Sequence, residues 1–107
     1  MRPKVESIWI SLAAKGFIAP EEALDQNTDV VVTLATGARY VATFFTYQNI
    51  VTLTHKNSLT GEWLGGRYFW ATDMLLVDKI DPVLIRRVID DLISSDCWPA
   101  AFRLVAA

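Results

Sequence analysis

The stretch TDVVVTLATGARYVATFFT, residues 28–46, decides the fold. Val30, Val32 and Leu34 alternate with Val31, Thr33 and Ala35, and β-branched residues dominate, as they do on a pleated, half-buried surface. Thr36-Gly37 interrupts the run where a tight turn needs a positive φ. Arg39 to Thr46 then sets Tyr40, Ala42 and Phe44 against Val41, Thr43 and Phe45. The two runs predict a β-hairpin. Both of its faces are largely apolar, which predicts helices over one side and further core over the other.

On the N-terminal side, Val5, Ile8, Trp9 and Leu12 fall on one helical face, and Gly16 stands where a left-handed cap belongs. Residues 6–12 also alternate as a strand would, with Ile8, Ile10 and Leu12 together; the helix is the preferred reading. Pro20-Glu21-Glu22 suits a short helical turn, with proline first and acids at the positive end. On the C-terminal side, Ile50, Leu53 and Asn57 fit a helical face ending at Gly61, although the β-branched Val51, Thr52 and Thr54 oppose it. A helix over 47–60 is preferred. Strands are expected over Arg67–Ala71 and Met74–Ile80, joined by a turn at Thr72-Asp73. Asp81 and Pro82 then open an amphipathic helix. Its apolar stripe is Leu84, Ile85, Val88, Ile89, Leu92 and Ile93. Trp98-Pro99 is read as the end of regular structure. The expected architecture is one α+β domain over 1–107: about four antiparallel strands with N-terminal, central and C-terminal helices packed on the sheet.

Composition narrows the function. At 107 residues the chain has the length of one domain, and 52% hydrophobic with 21% charged residues is globular rather than disordered. The net charge of -2 creates no field that would draw the whole chain to nucleic acid or anionic lipid. No apolar run approaches the ~18 residues of a membrane span. Arg2 and Lys4 before Ile8–Ala14 have the look of a secretion signal, but Glu6, Ser11 and Lys15 break the pattern. A cytoplasmic protein, whole as given, is therefore expected, and the lone Cys97 fits a reducing compartment.

Chemistry-bearing residues are sparse. The single histidine, His55, and Cys97 stand far apart without a metal motif. Asp96 beside Cys97 disfavours a thiolate, so a partly buried, unreactive thiol is expected. Glu62 and Asp73 are the one carboxylate pair worth weighing for acid–base work, and an enzyme would need them joined to His55 in one pocket. Gly65-Gly66 lacks the partners of a phosphate loop. No catalytic residue, metal or cofactor is expected.

The stretch Thr60-Gly61-Glu62-Trp63-Leu64-Gly65-Gly66-Arg67-Tyr68-Phe69-Trp70 is the most individual. Tyr, Trp and Arg dominate interface hot spots, so Glu62, Trp63, Arg67, Tyr68 and Trp70 are candidate partner-binding residues, with Trp63 the exposed anchor. The plainer alternative sends Phe69 to the core and packs Tyr68 and Trp70 under the last helix. Asp73, Asp90 and Asp91 join the candidates because residues 73–96 are net acidic, and an acidic face could steer a basic partner.

Residues 32–44 resemble the first strands of an Sm-like barrel. That resemblance implies RNA binding, and Tyr68 and Trp70 could stack on bases, but the downstream Asp/Asn signature is missing and Arg39, Lys56 and Arg67 make no groove. In size, acidity and aromatic content the whole chain resembles small bacterial immunity proteins. That resemblance implies a protein that neutralises a basic nuclease toxin through an acidic and aromatic surface. The leading expectation is a non-enzymatic, protein-binding module. The alternatives are a housekeeping domain that self-associates through a sheet edge or its first helix with Trp9 buried, and an RNA-binding protein.

Overall fold

The computed structural model describes residues 3–14, 16 and 18–107. The hairpin forms the middle of a sheet. Strand β2 (Asn27–Leu34) pairs antiparallel with β3 (Arg39–Thr46), with Val30 opposite Ala42 and Val32 opposite Tyr40. Gly37 donates its N–H to the Leu34 carbonyl, closing the turn at 2.9 Å.

The N-terminal segment corrects the helical reading. Val5–Ile10 is an edge strand, β1, antiparallel to β2, with Trp9 opposite Val31 and Ile10 opposite Val30. Pairing with β2 satisfies the backbone and buries Ile10, while the strand period sends Trp9 to the other face, 51% exposed. Only Ser11–Ala14 (α1) is helical there, and the expected turn forms at Pro20–Leu24 (α2). The cap reading at Gly16 falls beside Lys15 and Phe17, which lie outside the described residues.

Beyond the hairpin come α3 (Tyr47–Thr60) and a one-turn element, α4 (Glu62–Gly66), then β4 (Met74–Val77) and α5 (Pro82–Ser94). The central helix therefore forms over the expected residues. The strand expected over Arg67–Ala71 does not form: those residues are a turn and extended coil leading into β4. Strand β4 lies parallel to β3, because its chain returns over α3 instead of reversing at a hairpin. Regular structure also continues past Trp98-Pro99. A short helix, α6 (Trp98–Ala101), redirects the chain into a fifth strand, β5 (Arg103–Ala106), antiparallel to β3. Strand β3 thus has β2 along one edge; β5 and β4 share the other, at its start and its end.

One α+β domain results. Val30, Val32, Ala42 and Phe44 face a layer made by Ile85, Ile89 and Ile93 of α5, joined by Trp98 and Phe102. Trp98 stacks on Phe102 at 4.4 Å and tilts against Tyr40 at 5.3 Å. Asp81 caps α5 by accepting from the Leu84 N–H at 3.0 Å. The other sheet face departs from expectation. Among the described residues it is covered only at the Phe45 end, and Val31, Thr33 and Val41 remain half-buried beside exposed Trp9. No described helix is long and apolar enough to cross a membrane.

The α5 layer sets a test. Ile89→Ala, at a fully buried position, should cost about 2–5 kcal/mol in urea unfolding. Val83→Ala, on the exposed side of the same helix, should stay within about 0.5 kcal/mol of wild type.

Candidate functional site

The side chains that could meet a partner ride on the chain between β3 and β4, and a junction at Thr46 aims that chain. Thr46 is fully buried. Its hydroxyl accepts from the Asn49 N–H at 3.0 Å, capping α3, and from the Gln26 N–H at 3.2 Å. Asn49 continues the connection. Its amide donates to Asp25 Oδ1 at 2.9 Å and accepts from the Asn27 amide at 3.0 Å. Thr52 donates to Asp25 Oδ2 at 2.7 Å. Helix α3 is thus tied by polar groups to the connection between α2 and β2. The Asn49 amide, and after it the Thr52 hydroxyl, hold Asp25 below the usual carboxylate range, against a small loss of hydration.

This anchoring inverts the usual polarity of the helix. Its buried residues are Asn49 and Asn57, with Ile50 and Leu53 half-buried beside them. Tyr47, Val51, His55 and Leu59, each four residues apart, stand exposed in one row on the solvent side. That four-residue spacing was visible in the sequence, but the inner-face residues alone drew the helical reading.

Gly61 ends α3 in the left-handed region, φ +85°, donating to the Asn57 carbonyl. After Glu62 the chain is left-handed at Trp63 (φ +57°), Leu64 (φ +55°), Gly65 and Gly66. For Trp63 and Leu64 this conformation costs about 1–2 kcal/mol each. Packing offsets it. The Trp63 ring lies 5.3 Å from Tyr68 and 5.0 Å from Phe69, and Phe69 meets Phe45 edge-on at 5.6 Å. Gly66 presses on the backbone of α3, where any Cβ would run into the Thr54 carbonyl oxygen.

The candidate residues separate into three groups. Arg67, Tyr68 and Trp70 form an exposed ledge, Tyr68 at 50% and Trp70 at 59% exposure. They do not pack under the last helix, and Phe69 between them holds the ledge to the sheet. Trp63, expected as the free anchor, is half-buried within the ring cluster, so it supports the ledge. Glu62 is exposed at the start of α4. Asp73 is occupied within the fold: its carboxylate pairs with Arg103 at 2.7 Å and its carbonyl accepts from the Thr43 N–H. Asp90 and Asp91 are exposed on α5, Asp90 paired with Arg86 at 3.2 Å. Phe44 and Phe45 point to opposite faces of β3. The sheet therefore stands between the acidic helix, on the Phe44 side, and the ledge, on the Phe45 side.

His55 lies exposed in mid-α3, and Cys97, expected partly buried, is exposed. Among the described residues no three His, Cys, Asp or Glu side chains gather as a metal-holding group. An apolar hollow of about 610 Å³ between α2 and the start of α5 is lined by Ile18, Leu24, Ile80 and Pro82. Its polar members are Lys79 and Asp81, and Asp81 is already the cap of α5. Comparison with protein-family models, with characterised proteins and with solved structures returned no match.

Two measurements check this geometry. Gly66→Ala should lose at least about 2 kcal/mol, because the new Cβ meets both a left-handed φ and a carbonyl; Gly65→Ala, with open space around it, should lose less. Asp25→Asn should lower the urea midpoint at pH 7. The gap from wild type should narrow as the pH falls below about 4, since a carboxylate with a depressed folded pKa stabilises above its unfolded pKa and loses that effect in acid.

Proposed function

We propose that this chain works by binding another protein, with Arg67, Tyr68 and Trp70 as its principal contact. The observation that supports the reading is the exposure of Tyr68 and Trp70 on either side of an anchored Phe69. An aromatic side chain held in place before binding loses little freedom on contact, so more of its buried area is realised as affinity. Arginine beside tyrosine and tryptophan is also the commonest hot-spot composition.

The immunity-protein form of the reading adds a basic nuclease domain as the partner. Its acidic contacts would be Asp90 and Asp91, across the sheet from the ledge. A partner touching both would have to wrap around a sheet edge. The segment that bears the ledge carries Arg67 against Glu62, so the proposal rests on aromatic contact and leaves charge steering aside.

The test is affinity co-purification from the native cell with wild type, Tyr68→Ala, Trp70→Ala and Asp90→Asn. A partner retained by wild type and Asp90→Asn should be lost with either aromatic variant, each truncation weakening binding about 30-fold or more. Unfolding temperatures should match wild type. Retention of every partner by both aromatic variants would refute the reading.

A further inference from the structure

We infer that the outer edge of β4 accepts an extended segment of the partner as an added strand. The inference deepens the ledge reading, and rests on it in taking the partner to be a protein.

Among the described residues, β1, β4 and β5 each have one edge that no other strand covers. Two of these edges are protected. The pairing of β1 with β2 passes over Glu6, and that of β5 with β3 passes over Val105, so each strand is broken by a bulge. Each also carries a charge, Glu6 in β1 and Arg103 in β5. Bulges and edge charges are the devices by which sheets turn other strands away. Strand β4 has neither. Its register with β3 is unbroken, and Met74-Leu75-Leu76-Val77 holds no charged residue.

The parallel ladder fixes which groups of β4 are free. The Thr43 N–H donates to the Asp73 carbonyl at 2.9 Å, and Thr43 stands opposite Met74, Phe45 opposite Leu76. That pattern turns the Leu75 and Val77 N–H groups toward β3, and the N–H and C=O of Met74 and Leu76 away from it. The outward groups of Met74 and Leu76 have no partner among the described residues. A donor and an acceptor repeated about 6.6 Å along a line match the backbone of another extended chain. Leu76, 39% exposed and level with Phe45, stands on the face that carries the ledge.

The length of β4 selects the occupant. A second copy offering its own β4 overlaps over four residues and buries less than a stable dimer needs. A free segment is under no such limit. One long enough to run past Met74 comes within reach of Trp70, four residues upstream. Two outward residues supply four main-chain hydrogen bonds, which hold a segment weakly by themselves; aromatic contact at the ledge supplies the rest. The segment that fits is extended, has no proline at the pairing positions, and sets an apolar side chain beside Leu76.

The probe is a phage-displayed library of random twelve-residue peptides panned against the whole chain. Enriched peptides should bind with dissociation constants of roughly 1–100 µM. Leu76→Pro removes one outward N–H and leaves the bonds from Leu75 and Val77 to β3 in place, as an edge position allows. It should keep the urea midpoint near wild type and weaken the peptides at least about tenfold. Amide hydrogen exchange on the wild-type chain gives a second readout. Met74 and Leu76 should exchange faster than Leu75 and Val77 in the free chain, and bound peptide should slow both at least about tenfold. Binding lost with Leu76→Pro but kept by Tyr68→Ala and Trp70→Ala would uphold strand addition and refute the ledge. The reverse pattern overturns the inference and leaves the ledge standing. It is also overturned if no peptide is enriched, or if bound peptide leaves Met74 and Leu76 exchange unchanged. Protection of those two amides that grows with protein concentration alone would mean that a second copy takes the edge, which overturns it as well.

Discussion

The hydroxyl of Thr46 joins the two parts of this molecule. It sits where the central strand ends and the longest helix begins, accepting one N–H from Asn49 in α3 and one from Gln26, the residue before β2. The Thr46 backbone adds a third bond, donating to the Gln26 carbonyl at 3.0 Å. A buried hydroxyl meets these needs only in one geometry, and that geometry sets the direction in which α3 departs. The carboxamide of Asn49 then carries the tie outward to Asp25 and Asn27. With polar bonds doing the anchoring, α3 has no need to bury an apolar stripe, and its apolar side chains are left facing solvent.

The second consequence appears at the far end of the helix. There the chain turns left-handed at Trp63 and Leu64 and packs back on α3 and the sheet. Phe69 can then reach Phe45, and Gly66 can lie against Thr54. Conformational energy stored in two non-glycine residues is balanced by ring packing, each aromatic pair being worth roughly 0.5–1.5 kcal/mol beyond the area it buries. Tyr68 and Trp70 are displayed because the residue between them is held.

Much of the fold was legible in the chain, where local signals agreed with one another. The 28–46 alternation, the glycine after α3, and Asp81-Pro82 before α5 each carry their own punctuation, and each element formed as read. The errors came where a distant partner decided. Residues 5–12 satisfy both a helical and a strand period; the open edge of β2 selected the strand. Residues 103–106 carry no alternating pattern, and they became β5 because the first half of β3 had a free edge. The strand expected over 67–71 gives way to coil after the left-handed turn at Trp63 and Leu64, and nothing in Glu62-Trp63-Leu64 announces that reversal of hand. The candidate surface was legible in composition but not in placement. Tyr68 and Trp70 are legible as aromatic contacts, yet the packing of Trp63 beside Phe69, and the separation of Asp90 from the ledge, follow from which face of β3 each element meets.

The parallel attachment of β4 has a bearing on how the molecule assembles. Strands β2 and β3 form a hairpin whose contacts span the shortest stretches of chain in the sheet, so little loop entropy opposes their meeting. Strand β4 finds its place only after the whole 47–73 crossover has been drawn in, and β5 only after α5 and α6 have been laid down. The outer edge of β3 is therefore the last to be filled. Until then its unsatisfied amides and carbonyls leave that stretch of β3 open to pairing with a neighbour.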